Sequence, residues 1–435
     1  MLRAFAAAFR TPDLRKKLLF TFGIIALFRL GSVVPTPGVS YTAVHTCLDQ
    51  VKDNSLYGLI NLFSGGALLQ LSVFALGIMP YITSSIIVQL LTVVIPRLET
   101  LKKEGQSGQG KITQYTRYLT IGLAILQSTT IITLARTTTA SGGNRLLQGC
   151  NQNLVPNQSL QMLLTMVVIM TAGTAMIMWL GELITDRGVG NGMSILIFTS
   201  IIATFPGQLI NIFKMDGSFK FFVTLAIGLV TIGAVVFVEQ AQRRIPVQYA
   251  KRQIGRRSYG GTSTYLPIKV NMAGVIPVIF ASSLLYLPSL VVNLTGSTAP
   301  WANWVLTNFA PGRQAYLVAN FLLIVFFAYF YVSITFNPDE VADDMKQYGG
   351  FIPGIRAGKP TSDYLAYVLN RITLPGALYL GLIATIPYIA FDVLGVGKRF
   401  IFGGTSLLIM VGVGLDTVKQ IESQLQQRNY EGFLK

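Results

Sequence analysis

The chain has 435 residues, 51% of them hydrophobic and only 12% charged, with a mean hydropathy of +0.55. Soluble domains carry roughly 25% charged residues, so this composition excludes a soluble globular protein and indicates a polytopic membrane protein. The net charge of +16 needs a location before it implies a partner, and two cysteines with one histidine exclude a disulfide framework or a histidine metal site.

The first segment, residues 1–17, opens with "MLRAFAAAFR". Phe and Ala flanked by Arg suit an amphipathic helix lying in the cytoplasmic interface. The basic front and apolar middle of "LRKKLLFTFGIIALFRLGSVVP" imitate a signal peptide, but no small-residue cleavage site follows cleanly. This stretch reads as a first transmembrane helix over 18–34. Next comes "YGLINLFSGG", residues 57–66. Eight helical residues reach only ~12 Å against a hydrocarbon core of ~30 Å, so the segment is too short to span and too apolar for an exposed loop.

Nine further apolar stretches are long enough to cross: 70–95, 117–135, 160–181, 193–213, 219–238, 271–293, 315–336, 373–391 and 401–418. With the N-terminus inside, 25 of the 34 Lys and Arg residues fall in inner segments. The positive-inside asymmetry therefore places both termini in the cytoplasm. The resulting organisation is a cytoplasmic segment 1–17, an N-terminal half 18–213, a C-terminal half 214–418 and a cytoplasmic tail 419–435. Cys47, His45 and Cys150 fall in outer loops; free thiols are the simpler reading, with one bridge as the alternative.

Two inner loops, 239–270 and 337–372, are longer than a helix connection needs, and long loops in compact proteins are usually functional. The first contains "QRRIPVQYAKRQIGRRSYGG", a basic protrusion with interleaved tyrosines that suits RNA phosphate or an acidic protein partner. "GQSGQGKI" (105–112) approaches a phosphate-binding loop, but Ile112 stands where the Mg²⁺-ligating Ser or Thr belongs and no strand precedes it.

Ten crossings divide as five and five, which inverts the second half relative to the first. "GIMPYITSS" (77–85) aligns with "GVIPVIFAS" (274–282), and "GMSILI" (192–197) with "GTSLLI" (404–409), at equivalent places. Pro80 and Pro277 are expected to kink their helices, while Gly77 and Gly274 admit a close backbone. Interrupted helices at matched positions point to a central site, lined by Ile78, Ile82, Ile197, Ile279 and Ile409 with Gln89 and Asn191 nearby. Isoleucine stripes are usually core packing; the alternative at a kinked central interface is a dry constriction that blocks ions. Arg29 is the one clear intramembrane charge; near the outer end of its span it is expected to snorkel to the interface, with packing or anchoring as its role. An inverted repeat alone also fits a secondary transporter of a small solute. That reading requires a mid-membrane acid or base, and none stands out; neither does a catalytic constellation.

"FSGGALLQLSVFALGIMPYITSSIIVQLLTVVIP", "KKEGQSGQGKITQYTRY", "TDRGVGNGMSILIF", "AKRQIGRR", "LPIKVNMAGVIPVIFASS", "IPGIRAGKPT" and "GGTSLLI" resemble the SecY/Sec61-alpha family, channel subunits of the Sec protein translocon. The resemblance covers nearly the whole chain. It implies an all-α fold of ten transmembrane helices in two inverted five-helix halves, a clamshell around an hourglass pore, with a short re-entrant plug helix. The implied pore ring is Ile78, Ile82, Met193, Ile197, Ile279 and Ile409. The implied plug is Tyr57, Leu59, Ile60, Leu62 and Phe63, hinged at Gly65 and Gly66. The implied lateral gate runs between spans two and seven through Pro80, Ser84, Ser85, Gln89, Pro277, Ser282 and Ser283. Implied partners are the small membrane subunits SecE and SecG, the ATPase SecA, the ribosome with its rRNA, signal sequences, nascent chains and membrane lipid. Contact candidates are Arg243, Arg244, Lys251, Arg252, Arg256, Arg257 and Arg356. No cofactor or metal is implied, and the implied location is the bacterial cytoplasmic (inner) membrane.

Overall fold

The computed structural model describes residues 9, 11–50, 64–136, 154–249, 252–254, 257–259, 263–295, 299–309, 313–393 and 404–432. The helices are α1 (Pro12–Val33), α2 (Tyr41–Gln50), α3 (Met79–Val94), α4 (Pro96–Lys103), α5 (Gln106–Arg136), α6 (Leu160–Arg187), α7 (Gly192–Asp216) and α8 (Ser218–Gln240). They continue with α9 (Ile276–Thr295), α10 (Pro300–Asn308), α11 (Gln314–Thr335), α12 (Pro338–Gln347), α13 (Lys359–Val393) and α14 (Gly404–Gly432). A helix lies within each of the apolar stretches picked out above. Among the described residues six helices, α5, α6, α7, α8, α11 and α13, are long and apolar enough to cross a membrane, or seven if α3 and α4, bent by 99°, count as one.

The second apolar stretch departs from expectation. Its helix begins at Met79, not at residue 70, and residues 64–78 form a run of tight turns. Long-range backbone bonds compete with the helix there: Val73 N donates to the Val34 carbonyl at 2.9 Å and Thr36 N to the Leu71 carbonyl at 3.0 Å. Leu71, a non-glycine residue, sits at φ 47° to allow this path. The segment is pinned to α1, where the Phe28 and Phe74 rings stack at 6.1 Å.

The prolines are corrected too. Pro80 and Pro277 do not kink helices; each is the second residue of one, α3 and α9, where its missing N–H is one the first turn leaves unpaired anyway. The break comes from the glycines, Gly77 at φ 56° and Gly274 at φ 62°, a left-handed backbone that glycine alone adopts without strain. At Gly274 nothing would meet an added Cβ within 4 Å, so conformation and not close approach explains that glycine.

An all-α fold is also corrected, because the long loops contain strands. β1 (Gln242–Tyr249) pairs antiparallel with β4 (Ser263–Lys269), and β2 (Arg252–Ile254) with β3 (Arg257–Tyr259). On β1 the alternation of Ile245 and Val247 buries one face, the period-two signature of a half-covered strand. β5 (Gly350–Phe351), from the second long loop, adds to the other edge of β1 at Gln248 and Tyr249.

The two halves repeat their packing. In the first, α3 packs on α5, α5 on α6, α6 on α7, and α1 on both α6 and α7. In the second, α9 packs on α11, α11 on α13, α13 on α14, and α8 on both α13 and α14. The halves meet where α3 touches α9 and α7 touches α14.

The same correspondence appears at the level of single atoms. Gly192 and Gly404, at the matched starts of α7 and α14, each lie so close to the preceding helix that a Cβ would stand 1.8 Å from a carbonyl oxygen, that of Gly181 or Ile383. One apolar cluster runs through both halves and contains the α3–α9 and α7–α14 contacts.

Candidate functional site

The turn between α6 and α7 shows how the sequence builds the site's wall. "TDRGVGNGMS" ends α6 at Arg187, passes through Gly190 at φ 86°, and restarts at Gly192. Asn191 caps the new helix, its Oδ1 accepting from Met193 N at 3.1 Å and Ser194 N at 3.3 Å. Thr185 Oγ1 accepts from Gly192 N at 2.9 Å, which locks the start of α7 against α6. Met193 and Ile197 are thereby fixed on the face that looks toward α3 and α9.

A cavity of about 490 Å³ opens there, lined by α3, α5, α6, α7 and α9. The apolar part of its lining is Ile82, Met193, Ile197 and Ile279, with Ile276 and Phe280. Ile78, Ile82, Ile197, Ile279 and Ile409 are all buried in the central cluster, and Met193 packs half-buried against it. The structure therefore brings all six residues of the implied ring into one contiguous apolar body, four of them in the cavity lining. Ile78 and Ile409 are buried outside that lining. A second cavity, also about 490 Å³, shares Asn191, Ser194 and Ile276 with the first and extends between α7, α8 and α14.

Its polar wall was not legible in the sequence. Arg117 on α5 forms a bidentate pair with Glu182 on α6, Nε to Oε1 at 2.8 Å and Nη2 to Oε2 at 2.7 Å. Both line the first cavity with Asp186 and Tyr81. The residues are 65 apart, and each sits at the edge of an apolar stretch where a charge reads as a terminator. A hint was available in that both stretches carry their edge charge at the same predicted membrane face.

The implied gate residues divide. Ser85 and Gln89 line the cavity. The Ser84 hydroxyl is buried and donates to its own helix at the Pro80 carbonyl, 2.8 Å, and that of Ser282 donates likewise to Val278. Ser283 is buried beside them. The Ser84 and Ser282 hydroxyls bond carbonyls of their own helices one turn back, which hides their polarity inside the bundle.

Tyr57, Leu59, Ile60, Leu62 and Phe63 lie outside the described residues. Gly65 and Gly66 are described, at φ 66° and 94°. Arg29 does not snorkel: its Nη1 donates to the Gly65 carbonyl at 2.8 Å, and a Cβ on Gly65 would meet that same atom. A charged donor on a main-chain carbonyl is a strong tether in a low-dielectric setting.

Of the surface arginines, Arg243 and Arg244 are exposed on β1, and Arg356 is exposed in a turn bracketed by Gly354 and Gly358, at φ 85° and 99°. The β1–β5 pairing joins the two loops that carry them. Arg252 and Arg257 belong to β2 and β3 by backbone; Lys251 and Arg256 fall outside the described residues, as do Cys150, the Cys47 and His45 side chains, and all of residues 1–10 except Phe9.

Comparison with known proteins gives a consistent picture. The SecY family model matches residues 72–418. The chain is 67% identical to the protein translocase subunit SecY of Streptomyces scabiei and 59% identical to that of Mycobacterium tuberculosis, over the full length of both chains in each case. Among solved structures, a protein-conducting channel superposes with a TM-score of 0.63 at 16% identity, covering 94% of this chain and 91% of that one. A SecY channel whose plug domain is described as stabilising the closed state superposes with a TM-score of 0.64 at the same identity and coverage.

Proposed function

The chain belongs to the SecY family, and from that premise we infer that it forms a protein-conducting channel. The channel passes unfolded secretory polypeptides across the bacterial cytoplasmic membrane and releases transmembrane segments sideways into lipid. The observation that carries this reading is the convergence of six apolar side chains from two repeated halves in one buried cluster, four of them lining a cavity between the helices.

Ten crossings in two inverted halves, 18–213 and 214–418, are supported by the matched packing of the two helix sets and by the paired glycines at 77 and 274 and at 192 and 404. The ring is Ile78, Ile82, Met193, Ile197, Ile279 and Ile409. Aliphatic walls hold water and ions out when closed and offer a sliding chain no strong hydrogen bonds. Met193 adds a flexible side chain that conforms to varied cargo. The gate is the α3–α9 contact: an arriving signal sequence partitions between these helices, and its differential affinity favours the open state. The plug, residues 57–66, seals the outer side and moves about Gly65 and Gly66. The Arg29 tether marks its hinge.

No motor is encoded, so work comes from outside. The partners are SecA, the ribosome and the subunits SecE and SecG, with the exposed arginines of the joined loops as contacts. The excess of Lys and Arg in the inner loops supports a cytoplasmic location for these surfaces and both termini.

Replacing Ile82, Ile197 and Ile279 with Gly tests the ring. Ion conductance through reconstituted, substrate-free channels in planar bilayers should rise, and an unchanged leak contradicts the assignment. Crosslinking of a stalled secretory chain to cysteines introduced at positions 82 and 279 tests the path.

A further inference from the structure

We propose that Glu239 and Asn271 form a positioning pair that transmits movement of the cytoplasmic β1–β4 hairpin to α9, the gate helix. The inference rests on the gate assignment above and adds the mechanical link between partner contact and gate.

The chain path makes the link short. α8 ends at Gln240 and β1 begins at Gln242; β4 ends at Lys269 and α9 begins at Ile276. The hairpin base is closed by Val270 N donating to the Ala241 carbonyl at 3.0 Å. Just inside that bond, the Asn271 amide nitrogen donates to Glu239 Oε1 and, at 3.1 Å, to the Gly274 carbonyl. Both side chains are buried, Glu239 8% and Asn271 4% exposed. One amide thus ties the end of α8 to the left-handed turn at Gly274 from which α9 and Ile279 depart.

The surroundings leave this stretch little slack. The Val270 carbonyl stands where a Cβ on Gly376 of α13 would meet it at 2.5 Å, and the Val275 side chain where a Cβ on Gly412 of α14 would meet it at 2.4 Å. A displaced hairpin base has one compliant element ahead of it, the Gly274 turn. A glutamine at 239 would accept the same hydrogen bond without the cost of a buried carboxylate, so the acceptor oxygen is what the tie requires. Lys269, 3.7 Å from Asp416, and Lys419 line the second cavity together with Glu239, the two cations and the Asp416 carboxylate acting on Glu239 in opposite senses.

The test uses the complete channel complex in lipid vesicles and planar bilayers. Spin labels at Tyr118 on α5 and Leu284 on α9, both exposed, report gate width with and without the ATPase motor bound. In Asn271→Leu the gate distance should stop responding to motor binding, and open-state residence of the empty channel should rise about tenfold, the loss of one charge-assisted bond. Glu239→Gln keeps an acceptor and should gate within about twofold of wild type, the rescue a purely structural role would not single out. If Asn271→Leu fails to assemble, Glu239→Leu removes the acceptor and should show the same uncoupling. A variant lacking the bond that gates like wild type overturns this inference alone. A wild-type channel that translocates no precursor overturns it together with the functional reading.

Discussion

Gly404→Ala is the most direct probe of how the second half holds its share of the proposed ring. The new Cβ would sit 1.8 Å from the Ile383 oxygen and 2.8 Å from the Ala384 Cα, where real contacts stay above 3.0 Å. α13 and α14 must therefore separate by about 1.2 Å at this point. The obstructing atoms are backbone, so no side-chain rotation relieves them. Overpacking costs typically 1–3 kcal/mol, and a backbone clash belongs near ~3.

Ile409 lies five residues beyond the substitution on the same helix, so the shift reaches the ring. Two assays follow: unfolding of the purified protein in mixed micelles, which should be destabilised by ~3 kcal/mol, and leak through the empty channel, which should increase. Gly192→Ala should act alike, since its Cβ would lie 1.8 Å from the Gly181 oxygen. Gly233→Ala on α8, with nothing within 4 Å, is the control and should stabilise by up to ~1 kcal/mol through helix propensity. If Gly404→Ala is as stable and as tight as wild type, the close-packed helix starts are not what positions the ring.

The other predictions are simpler. Arg356→Glu should impair motor-driven translocation in reconstituted vesicles while complex assembly stays intact. Arg29→Leu removes the donor to the Gly65 carbonyl and should raise leak of the empty channel, detected in planar bilayers. Glu182→Gln breaks a bidentate pair whose partners are 43% and 22% exposed; solvent screening limits its cost to about 1 kcal/mol, measured by denaturation in micelles. Gly350→Pro should uncouple β5 from β1 and weaken motor binding more than ring tightness, read by comparing motor affinity with leak.

Composition and the spacing of apolar runs pointed to the long apolar helices, because burial in lipid is written into about twenty consecutive residues at a time, while the turns of 64–78 and the short helices α2, α4, α10 and α12 lay outside that signal. The repeat was legible for a related reason. Gly77 and Gly274, like Gly192 and Gly404, are demanded by backbone geometry, and that demand leaves a residue type at a position. The isoleucines proposed as the ring were singled out through those glycines and prolines, not through their own pattern, which any packed core shares.

What remained hidden depends on residues distant in the chain. Residues 64–78 are apolar enough to be helix, and only their bonds to Val34 and Thr36 decide that they turn instead. Arg29 looked like an anchor until its partner, the Gly65 carbonyl, was in place. The pairs Arg117–Glu182 and Glu239–Asn271 join positions 65 and 32 residues apart, and β5 finds β1 across the second half. Local chemistry states where a chain must hide from water; which polar groups then meet is settled by the packing of whole helices, because a hydrogen bond requires its two atoms within about 3 Å and no single segment controls that distance.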